Sequence, residues 1–472
     1  MTKKEIIEKV IVPIENAGFK AFFVGGCVRD KLMGVEPHDF DICTDAAPKE
    51  LHKIFNHFSE QKSEEFGVTM PIIDGELFEI ATMRKDITKG RHPKIEFTRN
   101  IEEDALRRDF TVNALYEDKD GNIIDPTKKG VKDIKSKTLR FVGSARDRIL
   151  EDPLRIFRYV RFISQKGFSY INSDRITIGN LVNETGSFHL FEDVSRERQL
   201  KELIGIFGGK YFSSKIITEL MEPFGINDVI DLHCILEDMK ECTQNPKWHS
   251  EGSVVNDFGE YIRYGTVFEH TLLVVDKMIE QEHDWLDILA AILHDVGKYT
   301  AGIEQGCKPG CEWPITKGHD IIGAPIAYDF CKKLGMSNSD SELIRWLVAN
   351  HMNAHNISKT KSKCKIWKLL SSKEFDRLLK LSIADSNGSI HTAPNEYLDL
   401  CELIKLPEYA PLVKKEMPVP LVTGTDLIAE FDLVPNPNFK KALEVGYIMQ
   451  IDQNSSKKEI LSNIRNLAKE KH

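Results

Sequence analysis

Three scarcities narrow the class of this chain before any motif is considered. Long apolar runs are missing: the richest, LDILAAIL at 286–293, carries Asp287 and is far short of a membrane span. Excess positive charge is missing too, since 64 Lys+Arg against 73 Asp+Glu leave a net charge of −9. A nucleic-acid partner would therefore be held by local basic patches, not by a global field. Cysteines are few and unpatterned. The nine, at 27, 43, 234, 242, 307, 311, 331, 364 and 401, are odd in number and repeat no spacing, which predicts reduced thiols in a cytosolic protein. Cys307 and Cys311 lie close together in CKPGC, but no second Cys/His pair at ligand spacing accompanies them, so they read as a loop. MTKKEIIEKV has no apolar stretch and predicts no signal peptide. Internal repeats and low-complexity tracts are absent. The expectation is a cytoplasmic protein with no membrane contact and no obligate protein partner evident.

What is present is ordinary globular material. The 472 residues are 41% hydrophobic and 29% charged, enough for about three domains with cores that need no staples. Residues 2–17 read as an amphipathic helix, with Ile6, Ile7, Val10, Ile11 and Ile14 at helical spacing. AFFVGG reads as a buried strand entering a turn, and VTMPIID and LFEIATM as strands joined at Asp74-Gly75. From about residue 143 alternation is scarce and amphipathic helices dominate, beginning with RDRILEDPLRIFRYVRFISQKGF. The texture divides into 1–142, 143–241, 242–400 and 401–472. The fold class expected is α+β: a mixed-sheet head followed by helical segments.

The first chemical constellation is VGGCVRDKLMGVEPHDFDICTD, residues 24–45. In an extended segment Asp39 and Asp41 project to one face, about 6.7 Å apart. Carboxylates aimed at one spot suit paired Mg²⁺ ions acting on a phosphate. Gly25 and Gly26 permit close backbone approach, a helix start after them offers N–H groups to a triphosphate, and Arg29 adds a bidentate contact. D-x-D alone also fits an acidic strand end, and the ordered combination is what carries weight.

GGxVRD followed by DxD resembles the first motif of the class II tRNA nucleotidyltransferases, which include CCA-adding enzymes and bacterial poly(A) polymerases. Further pieces follow in the family's order across residues 20–205. FEIATMR supplies Glu79, a candidate third carboxylate on a neighbouring strand, and Arg84. RHP (91–93) resembles part of a mobile loop, and RRDFTVNAL supplies Arg107, Arg108, Asp109 and Asn113 for ribose and phosphates. DPTKKGVKD (125–133) resembles a hinge, EDPLRIFR (151–158) the base-reading motif and SRERQLKEL (195–203) the last motif. The resemblance implies a polymerase-β-like nucleotidyltransferase head and an all-α neck and body. It also implies Mg²⁺ at Asp39, Asp41 and Glu79, and partners tRNA, CTP and ATP.

In EDPLRIFR, Asp152-Pro153 reads as a helix start and places Asp152 and Arg155 on neighbouring positions of one face. One reading is that Asp152 caps and Arg155 pairs with it. The other, which the resemblance favours, is that the two present an acceptor and a planar donor fork to an incoming base, with Arg158 nearby. Arg158, Arg161, Arg196 and Arg198 are candidate primer contacts.

A second constellation lies in the third segment: His270, His294-Asp295, His319, His351 and Asp385. Imidazoles with carboxylates are ligands for divalent transition metals such as Mn or Ni. The order H…HD…D resembles the HD-family phosphohydrolases, which implies His270, His294, Asp295 and Asp385 as core ligands and His319 and His351 as a second metal or phosphate site. Such a domain follows the nucleotidyltransferase core in some bacterial relatives, with phosphatase and cyclic phosphodiesterase activities. Here extra residues separate Trp248-His249 from His270. His355 and His391 fit no slot and are expected at the surface. The run KTKSKCKIWKLLSSKEFDRLLK (359–380) carries Lys359, Lys361, Lys363, Lys365 and Lys368 around Trp367, and fits either a phosphate-backbone contact or a solvated face.

The expected activity is template-independent addition of CCA to tRNA 3′ ends, with an HD phosphohydrolase activity beside it. CC-only or A-only addition and poly(A) polymerisation stay open, because KDITKGRHPKIEF is short for a CCA-adding loop. So does a chain that is mainly an HD phosphohydrolase acting on RNA or nucleotides.

Overall fold

A computed structural model describes residues 1–37, 39–59, 66–88, 94–242, 254–255, 261–262, 266–306, 316–388, 396–413, 415–431 and 438–469. RHP, Trp248, His249, Cys307, Cys311 and His391 lie outside the described residues. The chain divides into two compact units, Met1–His233 and Cys234–His472. None of the described helices is long and apolar enough to cross a membrane.

The first unit is built on a six-stranded mixed sheet. Its strands and first helices are β1 (Ala21–Val24), α1 (Gly26–Leu32), β2 (Ile42–Thr44), β3 (Val68–Thr69), β4 (Ile80–Thr82), α2 (Ile101–Leu106), β5 (Tyr116–Glu117) and β6 (Ile123–Ile124). The strand order is β6-β5-β1-β2-β4-β3, with β2 and β4 parallel and the other pairs antiparallel. Residues 3–16 are helical and bury Ile6, Val10, Ile11 and Ile14, as their spacing requires. Asp74 and Gly75 turn a separate hairpin, both at positive φ, the conformation that Asp-Gly supplies most readily.

Helices follow: α3 (Ala145–Glu151), α4 (Leu154–Lys166), α5 (Asn172–Thr185) and α6 (Arg196–Phe207). Pro153 interrupts what would be one helix, because it has no N–H to donate back. The boundary read at residue 142 is not a break in packing. Phe110 and Phe141, before it or upon it, sit 5.1 Å apart, and Tyr159 and Phe162 of α4 close over Phe110 at 5.7 and 5.2 Å. All four rings are buried, so one apolar core spans head and neck.

Asp174 ties α5 to the end of the head, accepting from Phe141 N at 3.1 Å. Burial pushes its carboxyl up to about 6. A carboxyl raised in the folded state contributes stability below its unfolded pKa and loses it as pH rises through the folded value. Asp174→Asn retains an acceptor, so it should stabilise the chain by on the order of 1 kcal/mol at pH 7.5 and by nothing at pH 4. Urea unfolding at the two pH values checks this.

The second unit is helical: α7 (Val267–Ile279), α8 (Trp285–Leu293), α9 (His319–Lys333), α10 (Asn338–His355), α11 (Lys363–Leu370), α12 (Phe375–Gly388), α13 (Asn438–Asp452) and α14 (Lys457–Lys469). α7 packs on α8 and α12, and α9 on α10. Thr266 and Glu269 form a capping box that starts α7 one residue ahead of Val267.

Candidate active sites

Asp41 immediately precedes β2 and Glu79 immediately precedes β4. Because these strands are parallel with Ile42 opposite Ile80, the two carboxylates enter the same end of the sheet side by side. Both border a cavity of about 220 Å³ with Arg84, Arg107 and Arg108. Asp41 and Arg108 also border a second cavity of about 320 Å³, which Gly25, Gly26, Arg29, Asp109, Asn113 and Arg158 help line. Gly25 has φ +71, a conformation an L side chain resists, and its N–H is tied to Leu115 O at 3.1 Å. That turn brings α1 against the cavity.

Electrostatics mark the carboxylate pair. Burial pushes the Asp41 carboxyl up and Asp39 adds to this, against a downward pull from Arg108 and Arg29. Burial also raises Glu79, and the charge of Asp41 raises it further. Acids that raise one another at a shared spot fit a bound divalent cation. Asp39 is exposed and lines neither cavity, yet its charge reaches Asp41.

The other head residues are held by a polar lattice. Arg29 donates to Asn113 Oδ1 at 2.6 Å, Asn113 donates to Asp109 Oδ1 at 3.0 Å, and Arg158 pairs with Asp109 at 2.5 Å. Burial alone would raise Asp109, but Arg158 overrides it and holds the carboxyl low. Asp104, which the motif reading passed over, is the hub for Arg107 and Arg108. It lies 2.7 Å from Arg107 Nη2 and 2.9 Å from Arg108 Nη2, accepts from Tyr116 Oη at 2.6 Å, and is fully buried. Its i,i+3 and i,i+4 spacing to those arginines is visible in the sequence, but a solvated helix shows the same spacing. Asp104→Asn should lower stability by about 3 kcal/mol, since it leaves two half-buried cations without their fully buried anion. Chemical denaturation checks the loss.

The expected base-reading pair has other partners. Asp152 Oδ1 accepts from Leu154 N at 3.2 Å, capping α4, while its Oδ2 accepts from Arg198 at 2.7 Å. Arg155 pairs with Glu151 at 2.7 Å and donates to Arg107 O at 2.9 Å, so the capping half of the simple reading holds and the Asp152–Arg155 pairing does not. Neither borders the 320 Å³ cavity. One face of α4 does: Arg158, Arg161, Phe162, Gln165 and Lys166. Phe162, Gln165 and Lys166 were missed, although the i, i+3, i+4 repeat from Arg158 points to them. Arg161 is paired with Glu202 at 2.8 Å and Arg196 with Asp231 at 3.4 Å.

In the second unit five helices converge on six side chains. His270 is in α7, His294 and Asp295 directly follow α8, His319 opens α9, His351 is in α10 and Asp385 in α12. They form two groups, His270–His294–Asp385 and Asp295–His319–His351, with ligand atoms within 4.8 Å inside each. Asp295 bridges them: Oδ2 faces His294 Nε2 at 3.2 Å, and Oδ1 faces His319 Nε2 at 3.1 Å. Gly297 makes the approach possible, because a Cβ there would stand 2.1 Å from His319 O.

The tautomers fit metal ligation. Nδ1 of His294, His319 and His351 each contacts a backbone carbonyl at 2.7–2.8 Å, which requires the proton on Nδ1 and leaves Nε2 bare when neutral. His319 and His351 then face one another through Nε2 at 3.1 Å, a contact that needs a proton or a cation between the lone pairs. Burial lowers His294, but Asp295 and Asp385 outweigh it and lift its pKa to about 9. A divalent ion would replace such protons.

One expectation is corrected. His355 is not a surface residue: it is buried and its Nε2 lies 2.7 Å from Asp385 Oδ2, fixing that carboxylate. It stands one turn beyond His351 on α10, and sequence alone does not say which helix face turns inward. Lys298, also unread, lies 2.6 Å from Asp295 Oδ2.

Comparison with known proteins follows the same division. Residues 21–140 match the poly A polymerase head domain and residues 267–386 the HD domain. Each unit thus carries a stretch that matches one of these two domain families, and both families are metal-dependent. Its relatives include CCA-adding enzymes. That of Ligilactobacillus salivarius is 37% identical over 250 residues, 51% of this chain and 60% of the relative. That of Latilactobacillus sakei is 42% identical over 172 residues, 36% of this chain and 43% of the relative. The chain thus spans at most 60% of the length of these relatives. The Bacillus stearothermophilus CCA-adding enzyme in complex with CTP shares the fold, with TM-score 0.56 and 21% identity over 99% of both chains. The Thermotoga maritima CCA-adding enzyme complexed with tRNA does so with TM-score 0.52 and 17% identity, over 96% of this chain and 92% of that one.

Proposed function

We propose that this chain adds CCA to tRNA 3′ ends from CTP and ATP in the cytoplasm, without a nucleic-acid template. The observation that carries the reading is Asp41 beside Glu79 at the rim of an arginine-lined cavity, with Asp41 and Arg108 shared with a second cavity that Gly25, Gly26 and Arg29 help line. Mg²⁺ held by Asp39, Asp41 and Glu79 would supply activation of the hydroxyl and charge neutralisation at the phosphates. The chain's own groups orient the nucleotide: Gly25 and Gly26 admit the triphosphate, Arg29 and Arg108 meet its oxygens, and Asp109 with Asn113 addresses the sugar. Asp152 and Arg155 read the base edge, held by Arg198 and Glu151 in one orientation. A bond forms between the primer 3′ oxygen and the α-phosphorus, and pyrophosphate leaves.

The test supplies tRNAs ending before C74, after C74 and after C75, together with a non-tRNA RNA, with each nucleotide separately. Stepwise C, C, A addition limited to tRNA is expected. Addition of CC alone, A alone or long A tails would replace the assignment with that narrower activity.

A second activity is supported by a different observation, the Asp295 bridge between two imidazole groups. We infer a phosphohydrolase site for phosphoesters of RNA or nucleotides. Divalent transition metals such as Mn or Ni held there would activate water. His355 holds Asp385 in register, and Lys298 places positive charge beside Asp295.

A further inference from the structure

We propose that the exposed lysines of α11 and the segment before it form a binding surface for the phosphate backbone of RNA, serving the imidazole–carboxylate site of the same unit. The proposal rests on the phosphohydrolase reading of that site. From His351 to Lys373 the chain holds no Asp or Glu, although it is acidic overall. Lys359, Lys361, Lys363, Lys365 and Lys368 are all exposed. Among the described residues none of the five makes an ion pair, whereas Lys277, Lys298, Lys405 and Lys457 of the same unit pair with carboxylates.

Local stability does not account for these charges. Lys363 and Lys365 occupy the first turn of α11, where no acidic residue offsets them against the positive end of the helix dipole. Lys365 and Lys368 are like charges three apart. Ser362 caps the helix by accepting from Lys365 N, so a Glu at 365 would complete a capping box. The opposite side of the helix is committed to the core through Cys364, Ile366, Leu369 and Leu370. A surface that stays cationic where an acid would stabilise it is shaped for a polyanion. Trp367 stands among the lysines, half-buried, its Nε1 donating to Lys415 O at 3.1 Å.

Location selects RNA for an occupant. α10 ends with His351 and His355 of the site, and Lys359 Nζ reaches back to Asn356 at 3.4 Å. The cationic segment therefore begins one turn from side chains suited to phosphoester chemistry. A strand whose backbone runs along the lysines would deliver its own phosphoester to them.

The experiment uses the full chain with all five lysines changed to Gln. Probes are a fluorescein-labelled 12-nucleotide single-stranded RNA, the same RNA ending in a 2′,3′-cyclic phosphate, and the cyclic mononucleotide. Affinity for the labelled RNA should fall by about tenfold or more at 0.1 M salt, with the slope of log K against log salt reduced by about 3. KM for the oligonucleotide should rise about tenfold with kcat unchanged, and KM for the mononucleotide should not move. Lys365→Glu should weaken RNA binding while raising the melting temperature by about 1–2 °C. An unchanged salt slope, an equal KM rise on the mononucleotide, or tighter binding to phosphatidylglycerol vesicles than to RNA would overturn the proposal. If the unmodified chain hydrolyses neither substrate, the phosphohydrolase reading falls, and the salt slope alone still decides whether the surface binds RNA.

Discussion

Asp41→Asn should abolish nucleotide addition, lowering its rate by about a thousandfold or more, a loss typical when charge stabilisation at the reacting centre is removed. The substitution is isosteric, and the backbone bond from Val24 N to Asp41 O at 3.0 Å does not involve the carboxylate. Stability should not suffer. Burial raises the Asp41 carboxyl in the folded chain, so at neutral pH its ionised form opposes folding, and that penalty vanishes only as pH falls below its unfolded pKa. The neutral amide removes the penalty at pH 7, and the metal-free melting temperature should hold or rise slightly. Hydrolysis of a cyclic phosphate should be untouched. Primer extension, thermal unfolding and a phosphodiesterase assay on one preparation separate these outcomes.

The second large effect is the mirror image. Asp295→Ala removes the carboxylate that faces both imidazole groups. Metal content measured by mass spectrometry should drop, and phosphoester hydrolysis should fall more than about 100-fold, since even an outer partner of a ligand is worth 10–100-fold. tRNA extension should persist. Loss of both activities in either stably folded variant would contradict two separate sites.

The two sites differed in how far the chain could be read without coordinates. Glu79 was accessible through the resemblance, which sets FEIATM after DFDICT, and both segments carry their acid just before the apolar residues. Period-2 patterning survives any reasonable sheet. Asp104 was not accessible, because an acid followed by arginines at three and four residues looks the same on a solvated helix as at a buried hub. His355 failed for the same reason. Nothing in NHMNAHN says which side of α10 meets α12, and only that packing carries the imidazole to Asp385. The head–neck boundary was drawn at a change of texture, yet Phe110, Phe141, Tyr159 and Phe162 make one core across it. Composition records where helices begin, not where apolar surface stops being shared.

By itself, the chain's order of residues determined the kinds of chemistry available: an acid pair after a glycine turn, arginines repeating along α4, and imidazoles beside carboxylates. These are local properties, carried by spacing within a strand or a helical turn. Tertiary structure alone decided which of them share a space. Asp385 reaches His270 across 115 residues and Arg158 reaches Asp109 across 49, contacts that exist only because distant elements bury their apolar faces together.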